Sequence, residues 1–484
     1  MSLPVVITIG VATLYTYKFL RGLWGVGFTP GPRPLFSPLT PFGMVLPANW
    51  YLNPSSNWSW IWRKTAYFNY THDVIAFVPW IVGDATYYTS SLDVTKQLLG
   101  AENKIHLEKP VELTTARFAD VWRTVRSLYR EVGEVEGWDQ RDEIIFDEVN
   151  SFALKFTFTI ISRCGFGFAT PWSTGLKTHM EFPDALRLVS ETFILRVILP
   201  QWAYKMPFDR LRRMDDAWTI VASSVLDAIN KRKDENAEPT ANGDPRPDLL
   251  SYLVASWTNL NKQGLEEHDV IANMFSLMFA GHETTSSALV TIMCYMAIYQ
   301  DEQEKAYNEV CEAFSKCDPS ENIDTNKLTL LLYSIWESQR LYASAGFIPR
   351  QLTEDAVINV VRPTQQSMHL KKGSRIMFDL TAIGRNPHIF KDPEIFKPSR
   401  WESFSEHDVA MFGFGPRSCV GRKFAQTEAV AFLSTLLYEW KIETNSLPGE
   451  SKAHYEERVM GDATLIGTAF GLKRVPLRLT RRRI

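Results

Sequence analysis

The stretch FGFGPRSCVGRKFA, Phe412 to Ala425, carries one cysteine among glycines, arginines and phenylalanines. Apolar residues recur at helical spacing from Ala425 to Tyr438, which places Cys419 just before a helix N-terminus. Backbone N–H groups and the helix dipole at such a position favour a thiolate, the form that nucleophiles and metal ligands need. Gly415 and Gly421 permit a tight loop, Arg417 can meet a carboxylate or phosphate, and Phe412 can shield the sulfur from water. Pattern alone leaves a buried structural cysteine as an equal alternative.

Three other groups of residues have spacing that could serve chemistry. In AGHETT, Ala280 to Thr285, a glycine in mid-helix costs about 1 kcal/mol relative to alanine, and a ligand approaching the backbone at Gly281 is one reason for it. Thr284 and Thr285 can hydrogen-bond to carbonyls of the preceding turn and open a bend, and Glu283 beside them offers a proton relay; a tolerated polar patch is the alternative. In ESQR, Glu337 and Arg340 share a helix face, a pairing that alone reads as a surface ion pair worth 1 kcal/mol or less. Arg400 follows in PSRW. In WRTVR, Trp122 and Arg126 share a helix face, and Arg350 stands in the extended segment GFIPRQLTED.

Phe412, Gly413, Gly415, Arg417, Cys419 and Gly421 fill the fixed positions of the haem-binding loop of the cytochrome P450 monooxygenases, a family that the sequence resembles. The resemblance implies that Cys419 is the axial thiolate ligand of the iron of haem b, with Phe412 and Gly415 in the same loop. It makes Arg417, Trp122, Arg126 and Arg350 haem-propionate contacts. It makes Glu283 and Thr284 the oxygen-activating acid and alcohol, and Glu337, Arg340 and Arg400 a structural network. His282 falls at a variable position and is expected to be structural. Two departures are visible: Ser399 stands where the family has Glu before its arginine, and Val125 where it often has His. The implied fold is mainly α, a large helical domain with a small β-sheet region and an N-terminal membrane anchor. The implied reaction takes O2 as co-substrate and electrons from NADPH through a separate NADPH–cytochrome P450 reductase, with cytochrome b5 as a further partner to consider.

These residues need elements to hold them. From about His268 to Tyr299 the chain is apolar on most faces, which predicts a helix long enough to cross a whole domain, with Asn273, His282 and Glu283 as polar groups within it. Amphipathic patterning predicts further helices over Glu143–Ile161 and Trp218–Lys231, and alternation over Asp73–Thr89 predicts a hairpin. Lys233 to Asp248, charged and Pro-rich, reads as a surface loop. Residues 1–20 read as a transmembrane anchor: Leu3 to Leu20 holds Lys18 as its only charge, and the basic residues that follow leave the rest of the chain in the cytosol. Residues 21–43, with five prolines from Pro30 to Pro41, read as a stiff tether, and residues 44–484 as the haem-binding domain. This arrangement predicts a single-pass protein of the endoplasmic reticulum membrane.

A net charge of −3 argues against a nucleic-acid partner, and five cysteines without CxxC spacing argue against a disulfide scaffold or a zinc finger. The expected substrate is small and lipophilic. Phe275, Met278, Phe279 and Ala280 on the long helix, and Phe347 in the Ala343–Ile348 segment, are the expected pocket. Thr114, Thr115, Phe118, Phe193 and Thr468–Phe470 are further candidates by resemblance. The motif wording looks most like fungal members that oxidise terpenoid-like secondary metabolites; a xenobiotic or fatty-acid hydroxylase is the alternative. A haem-thiolate isomerase or peroxygenase is a rival from another class, against which Glu283 and Thr284 argue.

Overall fold

The alternation around Val74 and Tyr87 becomes an antiparallel pair, β1 (Val74–Phe77) and β2 (Thr86–Thr89), with Val74 opposite Thr89. A computed structural model describes residues 2–67, 72–99, 115–168, 170–172, 180, 182–237, 248–258, 266–315, 327–406, 409–466 and 469–482. They fall into two units, one of Met1–Pro110 with Trp336–Val420 and one of Val111–Ile335 with Gly421–Ile484.

In the first unit, β2 pairs parallel with β7 (Arg375–Asp379), which pairs antiparallel with β4 (Phe347–Gln351). A separate hairpin joins β5 (Ala356–Val360) and β6 (Gln366–Leu370). The Pro-rich segment is not a free tether. Pro30, Pro32 and Pro34 cannot donate backbone hydrogen bonds, but their carbonyls accept from the N–H groups of Ala76, Val78 and Trp80 at 2.8, 3.2 and 2.9 Å. The segment thereby covers the β1 edge. Gly31 holds φ +149° there, and a Cβ on it would lie 2.3 Å from the Ala76 carbonyl oxygen.

The N-terminal helix runs Leu3–Gly25, past the expected anchor end at residue 20. Its last turns are docked: Phe19 stacks on Trp80 with ring centroids 3.7 Å apart, and Lys18 Nζ donates to the Ile81 carbonyl at 2.7 Å. Before those turns Val5, Val6, Ile7, Ile9, Val11, Leu14 and Tyr17 are exposed. No described helix is long and apolar enough to cross a membrane, so the expected spanning segment is not found.

The second unit is largely helical. The long helix spans Glu267–Ile298, 32 residues or roughly 48 Å, and begins with a reciprocal capping box between Glu266 and Asp269. It packs along the helix Asn150–Phe166. Gly281 belongs to that packing: a Cβ there would lie 3.3 Å from two side-chain carbons of Ile161, so close helix approach is a second reason for the glycine. Phe158, Val189, Val221, Met274 and Met278 are among the residues of the buried core.

Two helix expectations shift. Glu143 to Phe146 is a strand, β3, and the helix starts only at Asn150. β3 pairs with β11 (Leu477–Arg481), which also pairs with β8 (Trp440–Thr444). That pairing reaches more than three hundred residues along the chain, beyond any local periodicity. The helix expected over Trp218–Lys231 spans Asp209–Ala237 and takes in Lys233–Ala237 of the expected surface loop, where Arg232, Lys233, Glu235 and Ala237 are good helix formers. β9 (Ala463–Ile466) and β10 (Ala469–Leu472) complete this unit as a hairpin.

The helix Arg422–Glu439 carries one buried acid that sequence patterning passed over. Glu428 is 0 % exposed, and neither carboxylate oxygen has a hydrogen-bond partner among the described residues. Burial holds its pKa well above the ordinary carboxylate range. Between the unfolded and folded pKa values the folded state binds the extra proton, so this contribution to stability is full at low pH and is lost as pH rises through the folded value. Glu428→Gln should abolish that loss. Relative to the variant, the native chain should lose up to about 1.4 kcal/mol per pH unit above pH ~4.5, read by urea unfolding at several pH values. Parallel pH profiles would contradict this.

Candidate active site

In the first unit, Phe412–Val420 forms the cysteine loop. Gly413 and Gly415 hold φ +73° and +64°, conformations that favour glycine, and Gly415–Arg417 makes a single 3-10 turn. The Cys419 N–H donates to the Phe412 carbonyl at 2.7 Å, which closes the loop through backbone alone. The Cys419 side chain is exposed, so the alternative of a buried structural cysteine does not hold. The helix Arg422–Glu439 begins three residues later, where the apolar spacing put it.

Arg417 and Arg350 belong together. Burial first, and then the positive charge of Arg417, hold Arg350 below the usual guanidinium range. A carboxylate placed between two such guanidinium groups would relieve that repulsion with matched geometry.

The same unit holds a buried ionic network. Arg340 and Glu337, both 0 % exposed, form a bidentate pair with two distances of 2.9 Å. Arg400 Nε donates to the same carboxylate at 2.8 Å, as do the Lys397 backbone N–H at 2.9 Å and the Trp401 indole at 3.1 Å. Arg340 also donates to the carbonyls of Gly384 and Pro393. Gly384 is required there, since a Cβ would lie 2.1 Å from the Arg340 carbonyl oxygen. The pair that spacing alone would have placed on the surface is one of the most enclosed polar groups of the unit.

In the second unit, the long helix presents two different sides around Thr284. Thr284 Oγ1 donates to the Ala280 carbonyl at 2.8 Å and Thr285 Oγ1 to the Gly281 carbonyl at 2.9 Å, as expected, and the helix continues unbroken. Ala280 is exposed and Thr284 partly so, an open patch of small side chains on a helix that is otherwise mostly buried. Glu283 is 8 % exposed. His282 is buried at 2 %, its Nδ1 lies 2.9 Å from the Met278 carbonyl, and burial lowers its pKa.

Trp122 is 2 % exposed, and its indole N–H has no hydrogen-bond partner among the described residues. Arg126, one turn on, has its guanidinium 5.5 Å from the Phe314 ring centre. Beside the open patch the aromatic side chains form a ladder: Phe193 to Phe279 at 5.7 Å, Phe279 to Phe275 at 5.6 Å, and Phe275 to Trp218 at 5.6 Å. Met278 lies in the buried core at 1 % exposure, and Phe275 and Trp218 pack against that core. In the first unit the Phe347 ring packs against Trp58 and Tyr88, each at 5.9 Å. Thr114 and the side chains of Thr115 and Phe118 lie outside the described residues, as does Thr468.

Each unit can be tested separately against a haem. The first offers an exposed cysteine sulfur in its loop, and two mutually repelling arginines suited to carboxylates. The second offers a buried indole N–H lacking an acceptor and an open small-residue patch beside a threonine. The donors of the first unit by themselves fit a porphyrin carboxylate and a thiolate ligand.

Comparison with known proteins agrees. The family model for cytochrome P450 matches residues 126–460, and the chain belongs to that family. It is 28% identical over 349 residues to cytochrome P450 monooxygenase 124 of the fungus Postia placenta, covering 70% of this chain and 66% of that protein. It is 34% identical over 193 residues to the mitochondrial cholesterol side-chain cleavage enzyme of Hypanus americanus, covering 39% and 36%. The chain thus spans less than two thirds of the length of either relative. The crystal structure of the cytochrome P450DA haem domain superposes with a TM-score of 0.67 at 15% identity, covering 94% of this chain and 99% of that one, which supports the fold.

Proposed function

We propose that the chain is a haem-thiolate monooxygenase that inserts one atom of O2 into a lipophilic organic substrate. One observation carries the reading: an exposed cysteine in a loop shaped by two positive-φ glycines and closed by backbone, two residues from one of a pair of repelling arginines. When bound, haem would supply oxygen activation and electron transfer. Cys419 would ligate its iron, and Arg350, Arg417 and Trp122 would hold its carboxylates. Thr284, with its hydroxyl on the open helix patch, would hold a proton near the reacting oxygen, and Glu283 would resupply it. Phe193, Phe275 and Phe279 would exclude water and offer flat apolar contact to the substrate.

The substrate we propose is terpenoid-like, in fungal secondary metabolism. The aromatic ladder suits a rigid polycyclic skeleton, and one relative is named for cleaving the side chain of cholesterol. Electrons would come from NADPH through a separate reductase, with cytochrome b5 as an accessory donor. The site of action would be the endoplasmic reticulum membrane with the catalytic part in the cytosol. Exposed Val6, Ile7, Leu14 and Trp24 would embed the N-terminal helix in the bilayer surface without crossing it.

The test is turnover of the purified chain with reductase and NADPH under isotopically labelled O2, on terpenoid and fatty-acid substrates. The reading expects one labelled oxygen atom in a terpenoid product; label in fatty acids alone would overturn the substrate class. Thr284→Ala should lower product formed per NADPH by about tenfold while substrate binding persists. Unchanged coupling would count against the relay.

A further inference from the structure

The open side of the long helix runs as a stripe. Ala280 is exposed and Thr284, Ser287 and Ala288 are partly so, a spacing that keeps them on one helix face, while the residues from Leu289 to Ile298 beyond them are buried. Where the stripe ends, the wall is β10. Ser287 Oγ donates to the Phe470 carbonyl of that strand at 2.6 Å. Ser287 is three residues past Thr284, so the contact lies about 4.5 Å farther along the helix axis.

β10 depends on such contacts. Among the described residues it pairs only with β9, in a sheet of two strands, and a two-stranded hairpin is marginal by itself. Its outer edge meets side chains in place of a third strand. Carbonyls two residues apart leave a strand on the same side, and here Phe470 accepts from Ser287 while Leu472 accepts from Asn150 Nδ2 at 2.7 Å. Asn150 thus holds the far end of the strand on another helix, and Ser287 holds the turn end on the long helix. Gly471 stands between the two ties. A Cβ there would lie 2.2 Å from Ser287 Oγ and 3.2 Å from Ser287 Cβ, so the serine hydroxyl occupies the space that a side chain at 471 would need.

We propose that Ser287 is a positioning residue for the oxidation: with Gly471 it rivets β10 to the long helix one turn from Thr284, makes the strand a fixed end stop of the substrate site, and so decides which substrate carbon is oxidised. The inference rests on reading the Ala280–Thr284 patch as the face where oxidation occurs. A flat apolar substrate lying along Phe193, Phe275 and Phe279 is not fixed lengthwise by those contacts, because apolar burial is non-directional. Its reacting carbon is then set by where the site ends, and a displacement of about 1 Å is enough to change a rate by about a hundredfold.

The test uses the haem-loaded chain with reductase and NADPH, with a tricyclic diterpene hydrocarbon and dodecanoic acid as probes, and reads the ratio of hydroxylated isomers from each probe that is oxidised. Ser287→Ala removes the bond and Gly471→Ala sets a methyl group against its oxygen, so each should shift the ratio about tenfold, in the same direction. Because both break one bond, the double variant should shift it no further than either alone. Ser287→Thr, which keeps a hydroxyl, should return the native ratio. Backbone hydrogen exchange gives a readout without turnover: over β9 and β10 it should be about tenfold faster in both alanine variants and native in Ser287→Thr. A native isomer ratio in Ser287→Ala, or additive shifts in the double variant, would overturn the rivet even where exchange is faster, since Ser287 would then serve folding alone. If the native chain oxidises neither probe, the reading of the patch falls and the inference with it. If the native chain gives product and the ratio does not move, the inference alone falls.

Discussion

Glu337→Ala should yield a chain that neither folds stably nor retains haem. Its carboxylate is shared by the bidentate Arg340, by Arg400, by the Lys397 backbone and by the Trp401 indole, all at 2.8 to 3.1 Å. Removing the acid leaves two guanidinium groups, 0% and 7% exposed, without their counter-charge. Breaking a buried pair in this way costs about 3 to 5 kcal/mol, a large part of a typical stability of about 5 to 15 kcal/mol. Glu337→Gln keeps the shape and loses only the charge, so its cost should be smaller, about 1.5 to 3 kcal/mol. Urea unfolding and haem content per chain measure both. An unfolding midpoint for Glu337→Ala equal to that of the native chain would contradict the network's role.

Cys419→Ala should have the opposite profile: stability nearly unchanged, chemistry abolished. The side chain is exposed, and the loop is closed by the Cys419 N–H to Phe412 carbonyl bond, which alanine keeps. Surface substitutions of this kind shift stability by about 0.5 kcal/mol or less. The sulfur is the loop's one soft ligand, so the thiolate-type spectrum and monooxygenase turnover should fall to background. Unfolding of the haem-free chain and turnover of the reconstituted chain separate the two effects. Retained turnover would remove Cys419 from its assigned position.

How much of this was legible in the sequence depends on how local the cause is. The cysteine loop was readable because glycines, arginine and helix start lie within a dozen residues, and the loop's geometry is set by those same residues. Thr284 and Thr285 behaved as their spacing predicts, for the same reason. Glu337 and Arg340 were readable as a pair but not as a buried one, since Arg400, Lys397 and Trp401 arrive from some sixty residues away. The packing of Gly281 was not readable because its neighbour, Ile161, comes from another helix. Met278 is buried in the core two positions before the exposed Ala280, and each position rotates a helical side chain by about 100°. The prolines after the first helix were read as a spacer, yet their carbonyls found a sheet edge that no local pattern announces. Glu428 was passed over because a single polar residue in an apolar helix gives no hint of whether it will find a partner.

The central claim is that Cys419 gives this chain a thiolate-ligated haem. The most direct measurement is the carbon monoxide difference spectrum of the purified, haem-loaded and chemically reduced chain, taken beside Cys419→Ala. The account predicts the red-shifted Soret band of thiolate ligation in the native chain and its absence in the variant. A native chain whose Soret band lies where imidazole-ligated or unligated haem absorbs, or the same thiolate band in both proteins, would contradict it.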